Sequence, residues 1–243
     1  MSGTVIIIGA RSDIAMACAH EFAAAGYDVT LAARQVDTLQ AAAKDIELRH
    51  SAVVFLREID ALDTQAHQDF VDASDLPDVV ISAVGVLGEQ VADQDDAGAI
   101  QAILRANFEG PAVLLSTYAT EMEKRGSGVI VGISSVAGDR GRGSNYLYGS
   151  AKAGFSAFLS GMRNRLADRG VHVVTVKPGF VATKMTQDMD LPGALTAQPA
   201  EVGAAIRKAV ERRKDVIYVR AIWRVIMGII RLIPERVFKK LSI

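Results

Sequence analysis

At 243 residues the chain lies between one large domain and two small ones, on a soft prior of about 150 residues per domain. Half of the residues are hydrophobic, 23% are charged and only 6 are proline, which excludes disordered and collagen-like chains and leaves a globular protein with a sizeable core. With 27 basic residues against 28 acidic ones, there is no overall attraction to a phosphate backbone and no nucleic-acid partner is expected. The single cysteine, Cys18, excludes an intramolecular disulfide and fits a reducing compartment. His20, His50, His67 and His172 lack metal-ligand spacing, so no metal is expected. The apolar run Val5-Ile6-Ile7-Ile8 is too short for a signal segment and has no basic residues before it, so the expected location is cytoplasmic.

The first predicted strand, 4–8, runs directly into Gly9-Ala10-Arg11-Ser12-Asp13-Ile14-Ala15 and an amphipathic helix over 15–25. A helix opening at the end of a strand offers free N–H groups and a positive dipole end to a pyrophosphate. The turn fits neither Gly-x-Gly-x-x-Gly nor the Gly-x-x-x-x-Gly-Lys pattern, and an ordinary turn capped by Ser12 or Asp13 reads equally well from these residues. The next strand, 28–33, ends in Ala33-Arg34, where a nucleotide-binding fold places the residue that reads the adenosine ribose. An acid there would repel a 2'-phosphate. Ala33 removes that repulsion and Arg34 supplies a guanidinium, so NADP(H) is favoured over NAD(H), with Arg11 as a second cation.

A helix over 38–48 and strands over 52–56, 79–82, 129–134, 171–176 and 216–219 follow. Fully apolar strands alternating with helices predict an α/β fold: a doubly wound, parallel, seven-stranded, Rossmann-like sheet in a single domain spanning 1–219. Segment 180–199, with Pro192, Gly193 and Pro199, reads as a long loop with a short helix, placed to close over a substrate.

Tyr148 and Lys152, at i and i+4, project from one face of a helix. A phenol of ordinary pKa ~10 is a poor acid–base group near neutrality, and a nearby ammonium favours its ionised form. In carbonyl reduction Tyr148 would donate a proton to the developing alkoxide as hydride arrives, and Ser135, at a strand end, would orient the substrate oxygen.

Gly132-Ile133-Ser134-Ser135-Val136-Ala137-Gly138, Tyr148-Gly149-Ser150-Ala151-Lys152, the Gly9 turn, Asn107 and Lys177-Pro178-Gly179 resemble, in order and spacing, the motifs of the short-chain dehydrogenase/reductase family. The resemblance covers roughly residues 4 to 219. It implies that Asn107 completes a tetrad by holding a water against Lys152, and that Lys152 binds the nicotinamide ribose. It implies cofactor contacts from Gly9, Arg11, Ser12, Asp13 and Ile14, and adenine contacts from Asp60 and Ala61. Ala83 and Gly85 would lie beside the cofactor with Tyr148 and Lys152, and Pro178, Gly179, Val181 and Thr183 would hold its carboxamide and phosphates. It also implies a homodimer or homotetramer through 97–124 and 146–168. The chain departs from the family with Ile8, Asp13 and Ala15 in the glycine turn and with Ser82-Ala83-Val84-Gly85 in place of Asn-Asn-Ala-Gly. Asp13 is therefore expected to point away from a pyrophosphate or to cap the helix.

The tail 220–243 has six cations and Glu235, a local charge of +5. A helix over 221–233 would carry Arg220, Arg224 and Arg231 on one side and a wide apolar surface on the other, too short to span a bilayer but suited to an anionic membrane surface. Docking on the domain or on another subunit is the alternative. The Ser-Asp-Ile-Ala turn and Trp-Arg tail are similar to the branch of the family that includes the decaprenylphosphoryl keto-ribose reductase, which implies a lipid-linked or bulky apolar carbonyl substrate. The reading from another class is a catalytically silent NADP-binding regulatory or scaffold protein.

Overall fold

The computed structural model describes residues 3–241; Met1 and Ser2 of the predicted domain and Ser242 and Ile243 of the predicted tail lie outside the described residues. In chain order the elements are β1 (Thr4–Ile8), α1 (Asp13–Ala24), β2 (Asp28–Ala33), α2 (Gln40–His50), β3 (Val54–Glu58), α3 (His67–Asp72) and β4 (Val79–Ser82). Then come α4 (Gln90–Asp93), α5 (Ala97–Leu104), α6 (Gly110–Arg125), β5 (Gly128–Ile133), α7 (Tyr146–Leu166) and β6 (Val171–Pro178). The chain closes with β7 (Phe180–Val181), β8 (Thr196–Ala197), α8 (Pro199–Glu211), β9 (Val216–Val219), α9 (Ile222–Leu232) and α10 (Glu235–Phe238).

Seven strands form one parallel sheet in the order β3-β2-β1-β4-β5-β6-β9. Side chains alternate across it, so Val5 and Ile7 of β1 pack with Phe22, Ile46 and Ile206 on one face. Ile6 and Ile8 pack on the other with Leu114, Tyr118, Phe155 and Leu159. Helices thus cover both faces of a doubly wound, Rossmann-like sheet in one α/β domain. The strand order reverses between β1 and β4, where Ile8 lies opposite both Ala32 and Ser82, and a crevice opens there beyond the carboxyl ends of the strands.

The third strand begins two residues later than the apolar run 52–56 suggests. It is an edge strand, so Arg57 and Glu58 extend the pairing opposite Ala32 and Ala33 despite their polarity, and Phe55 is left exposed. Segment 180–199 is not a plain loop. β7 and β8 pair within it, Phe180 opposite Thr196, and Pro199 already opens α8. Its short helical content is two 3-10 turns, Lys184–Thr186 and Gly193–Leu195.

The tail folds back onto the domain. Trp223 and Met227 of α9 are buried with Val136, against Phe180, Leu195 and Tyr218. Arg140, just past the Ser135 segment, donates to the carbonyls of Arg231 at 3.2 Å and Ile233 at 3.0 Å, and its guanidinium pairs with Glu235 at 2.8 Å and stacks 4.0 Å over Phe238. Among the described residues no helix is long and apolar enough to cross a membrane.

Candidate active site

The turn after β1 needs glycine at position 9. Its φ is +81°, and a Cβ there would lie 2.9 Å from the backbone of Ala83. The next residues lead into α1, whose preceding Ser12 makes no side-chain cap, so the leading N–H groups of the helix stay available. Asp13 does not cap α1 and lies on the wall of the crevice beside this turn. Its carboxylate accepts from the backbone N–H of Lys184 at 2.7 Å and lies 3.8 Å from that residue's ammonium, tying the β7–β8 segment to the start of α1.

At the end of β2, Glu58 accepts from the backbone N–H groups of Gln35 and Val36, both at 2.8 Å. Those bonds fix a left-handed Gln35 and hold Arg34 at the rim of the crevice. Both Glu58 oxygens are occupied by amides, and Arg34 stands 3.8 Å from Asp60. Arg11 donates to the Gln35 side chain at 3.0 Å. One cleft of about 460 Å³ gathers Gly9, Arg11, Ser12, Asp13, Ile14, Arg34, Asp60 and Ala61 along its walls.

Ala83, Gly85 and Thr183 line this cleft and also a deeper chamber of about 180 Å³. That chamber is lined by Asn107, Ser135, Tyr148 and Lys152, with Pro178, Gly179 and Val181 on its wall. The structure therefore brings every sequence-predicted site residue to one continuous crevice.

Ser135 sits just beyond the end of β5, where it accepts from the Ala137 N–H at 3.1 Å. The preceding Ser134 donates to the Lys152 carbonyl at 2.9 Å and shares a 2.7 Å hydrogen bond with Ser156, which fixes the distance between strand end and α7. Lys152, only 3% exposed, donates to the Ile133 carbonyl at 3.1 Å. Asn107 lies in a π-helical turn, Arg105–Glu109, between α5 and α6. Its amide donates to the carbonyls of Val86 at 2.7 Å and Ile103 at 2.9 Å. At Gly85 a Cβ would lie 2.6 Å from the Asn107 Oδ1 and 3.3 Å from the Lys152 Nζ, so only glycine leaves these two polar groups open to each other.

Burial holds the Lys152 ammonium down at a pKa of about 8. Burial also raises the Tyr148 phenol above its ordinary value, and a hydrogen bond from Ser135 opposes that shift. The direction differs from the expectation that Lys152 pulls the phenol down. The ammonium lies 5.7 Å from the centre of the Tyr148 ring and is bonded to a strand carbonyl, so desolvation of the phenol outweighs its attraction.

Four features of the site escape the sequence: Glu58 as the support of Arg34, Ser134 as a strut, Trp223 on the chamber wall, and Arg142 inside it. Trp223 had a signal in its amphipathic helix. Nothing in the sequence marks Arg142.

A family model described as short chain dehydrogenase matches residues 3–192. The chain is 36% identical over 242 residues to an uncharacterized oxidoreductase of Mycobacterium tuberculosis, covering 98% of this chain and 96% of that one. Its fold is similar to that of a short-chain dehydrogenase from Sphingobium yanoikuyae solved in complex with NADPH, with a TM-score of 0.80 at 24% identity over 96% of this chain and 97% of the other. A putative NAD(P)-dependent gluconate 5-dehydrogenase from Beutenbergia cavernae, solved with bound NADP, superimposes with a TM-score of 0.81 at 25% identity over 93% and 98%. With the family match spanning six of the seven sheet strands together with Ser135, Tyr148 and Lys152, this chain is an oxidoreductase of the short-chain dehydrogenase/reductase family.

Proposed function

We propose that this protein interconverts a ketone and a secondary alcohol using NADP(H). The observation that carries the reading is the convergence of Asn107, Ser135, Tyr148 and Lys152 on one chamber that opens into the cleft formed by the glycine turn. The cleft suits a dinucleotide: the available amides of α1 would take the pyrophosphate, and Arg34 and Arg11 would take a 2'-phosphate. When bound, the nicotinamide supplies the hydride. Ser135 hydrogen-bonds the substrate oxygen and orients it beside Tyr148. A phenol whose pKa is raised keeps its proton at neutral pH and can release it to an alkoxide, a far stronger base, as carbonyl reduction requires. Lys152, still mostly an ammonium at pH 7, stabilises the phenolate left behind, and Asn107 holds the hydrogen-bonded surroundings of that ammonium across Gly85.

The chamber's apolar lining, with half-exposed Met185 and Met189 at its mouth, supports an apolar or lipid-linked substrate. The tail supports peripheral contact with an anionic lipid surface. Ile222, Val225, Ile229 and Leu232 form an exposed stripe on α9, opposite the buried Trp223 and Met227. Arg224, Arg231, Arg236, Lys239 and Lys240 beside it are exposed and form no ion pair among the described residues. Exposed Leu104, Phe108 and Val113 support self-association through the α5–α6 segment.

Turnover tests the central reading. With NADPH and a panel of ketones followed by loss of nicotinamide absorbance, Tyr148→Phe should lower kcat by about 100-fold or more while NADPH binding is retained. Equal turnover by wild type and variant would refute Tyr148 as the proton donor. NADPH binding with no turnover of any ketone by the wild type would favour a silent nucleotide-binding protein.

A further inference from the structure

The chamber beside Ser135 and Tyr148 is lined by two cationic side chains and no acidic one. Lys152 is committed to the Ile133 carbonyl and to the tetrad. The second cation, Arg142, has no such commitment. Its Nε is enclosed without a hydrogen-bond partner, and the residue forms no ion pair among the described residues. The neighbouring Asn145, also on the chamber wall, has its Oδ1 enclosed without a partner.

Other partly buried arginines of this chain are fully engaged. Arg140 binds the carbonyls of the tail and Glu235, and Arg163 binds Val173, Thr175 and Asp215. Against that background a partly buried guanidinium with no carboxylate partner and an enclosed, unbonded Nε has donor capacity left for a ligand, because a buried donor without a partner costs free energy. Burial alone, with no acid nearby, already disfavours its charged form. A planar donor fork of this kind matches a carboxylate or a phosphate ester. Met185, Met189, Phe180 and Trp223 supply apolar walls beside it.

We propose that Arg142 is the anion-recognition residue of the substrate chamber, so that the natural substrate is a carbonyl or alcohol compound carrying an oxyanion, a carboxylate or a phosphate ester, on an apolar body. This rests on the reading of the chamber as the substrate site. Asn145 would accept a hydrogen bond from a hydroxyl of the same ligand.

Trp223, the sole tryptophan of the chain, lines the chamber and reports occupancy by fluorescence without any turnover. Full-length protein, alone and saturated with NADP+, would be titrated with hexyl phosphate, hexanoate and 1-hexanol. At least one of the two anions should bind about tenfold or more tightly than the alcohol, and the better anion identifies the preferred oxyanion. Arg142→Gln should erase that preference and Arg142→Lys should restore part of it, with NADP+ affinity unchanged in both. Equal affinity for all three, no binding by any, or an anion preference that survives Arg142→Gln would overturn the proposal. Failure to reduce any ketone would instead count against the oxidoreductase chemistry and leave the binding result standing.

Discussion

Lys152→Met should change how the stability of the protein depends on pH. The ammonium is buried, and its pKa falls from the ordinary 10.5 to about 8. At about 1.4 kcal/mol per pH unit, holding it protonated in the native state costs about 3 kcal/mol relative to the unfolded chain. Because the native pKa is the lower one, the unfolded chain binds more protons between pH 8 and 10.5, and stability rises with pH across that window. Below about pH 8 the full penalty applies. Integrating the two titrations gives a penalty of about 3 kcal/mol at pH 7 and about 1 kcal/mol at pH 10, so roughly 2 kcal/mol is recovered across that range. Methionine keeps the stem and removes the charge, so the variant lacks this component. Urea unfolding of both proteins at pH 7, 8, 9 and 10 would isolate it, since other groups cancel in the difference. A wild-type-minus-variant stability that stays flat from pH 7 to 10 refutes a buried, depressed Lys152, and with it the electrostatic account of the chamber.

Three further outcomes follow from other parts of the molecule. Arg34→Ala should raise the KM for NADPH about tenfold or more and leave that for NADH nearly unchanged; equal effects on the two cofactors would remove Arg34 from 2'-phosphate recognition. Asp139, whose side chain is 2% exposed, accepts from the Lys177 ammonium and from the Tyr218 hydroxyl at 2.8 Å. Asp139→Leu should therefore destabilise by about 3 kcal/mol by stranding the ammonium, with most of the loss recovered in the double variant with Lys177→Met, as read by urea unfolding; an additive double variant would contradict this. Deleting the tail would expose the surface under Trp223 and Met227, so Ile229→Asp with Leu232→Asp is the cleaner test of lipid contact. Sedimentation with phosphatidylglycerol vesicles should be lost in the double variant and absent with pure phosphatidylcholine, and binding that survives the variant would refute the α9 stripe as the contact.

The central sheet was legible because its strands are apolar on both faces, a pattern that survives without knowledge of neighbours. The exception, β3, is an edge strand whose pairing continues through Arg57 and Glu58. Tyr148, Lys152 and Ser135 were legible because helical spacing and a strand end fix where side chains emerge. What encloses those side chains is another matter. The rise of the Tyr148 phenol comes from desolvation, which depends on residues far apart in sequence, and so the expected direction came out reversed. Arg142 was invisible for a related reason: its interest lies in the partner it lacks, and sequence patterns record only which residues are present. Glu58 reads as an ordinary acid in an edge strand until both its oxygens are seen on the amides that follow β2.

The Arg140 clasp has a practical corollary for anyone handling this enzyme. Because it fastens the last helices to the segment just after Ser135, any fusion partner that tugs on the far end of the chain pulls on the support of that serine. Reporters and purification handles belong ahead of Thr4, where β1 begins at the amino ends of the strands, opposite the crevice at their carboxyl ends.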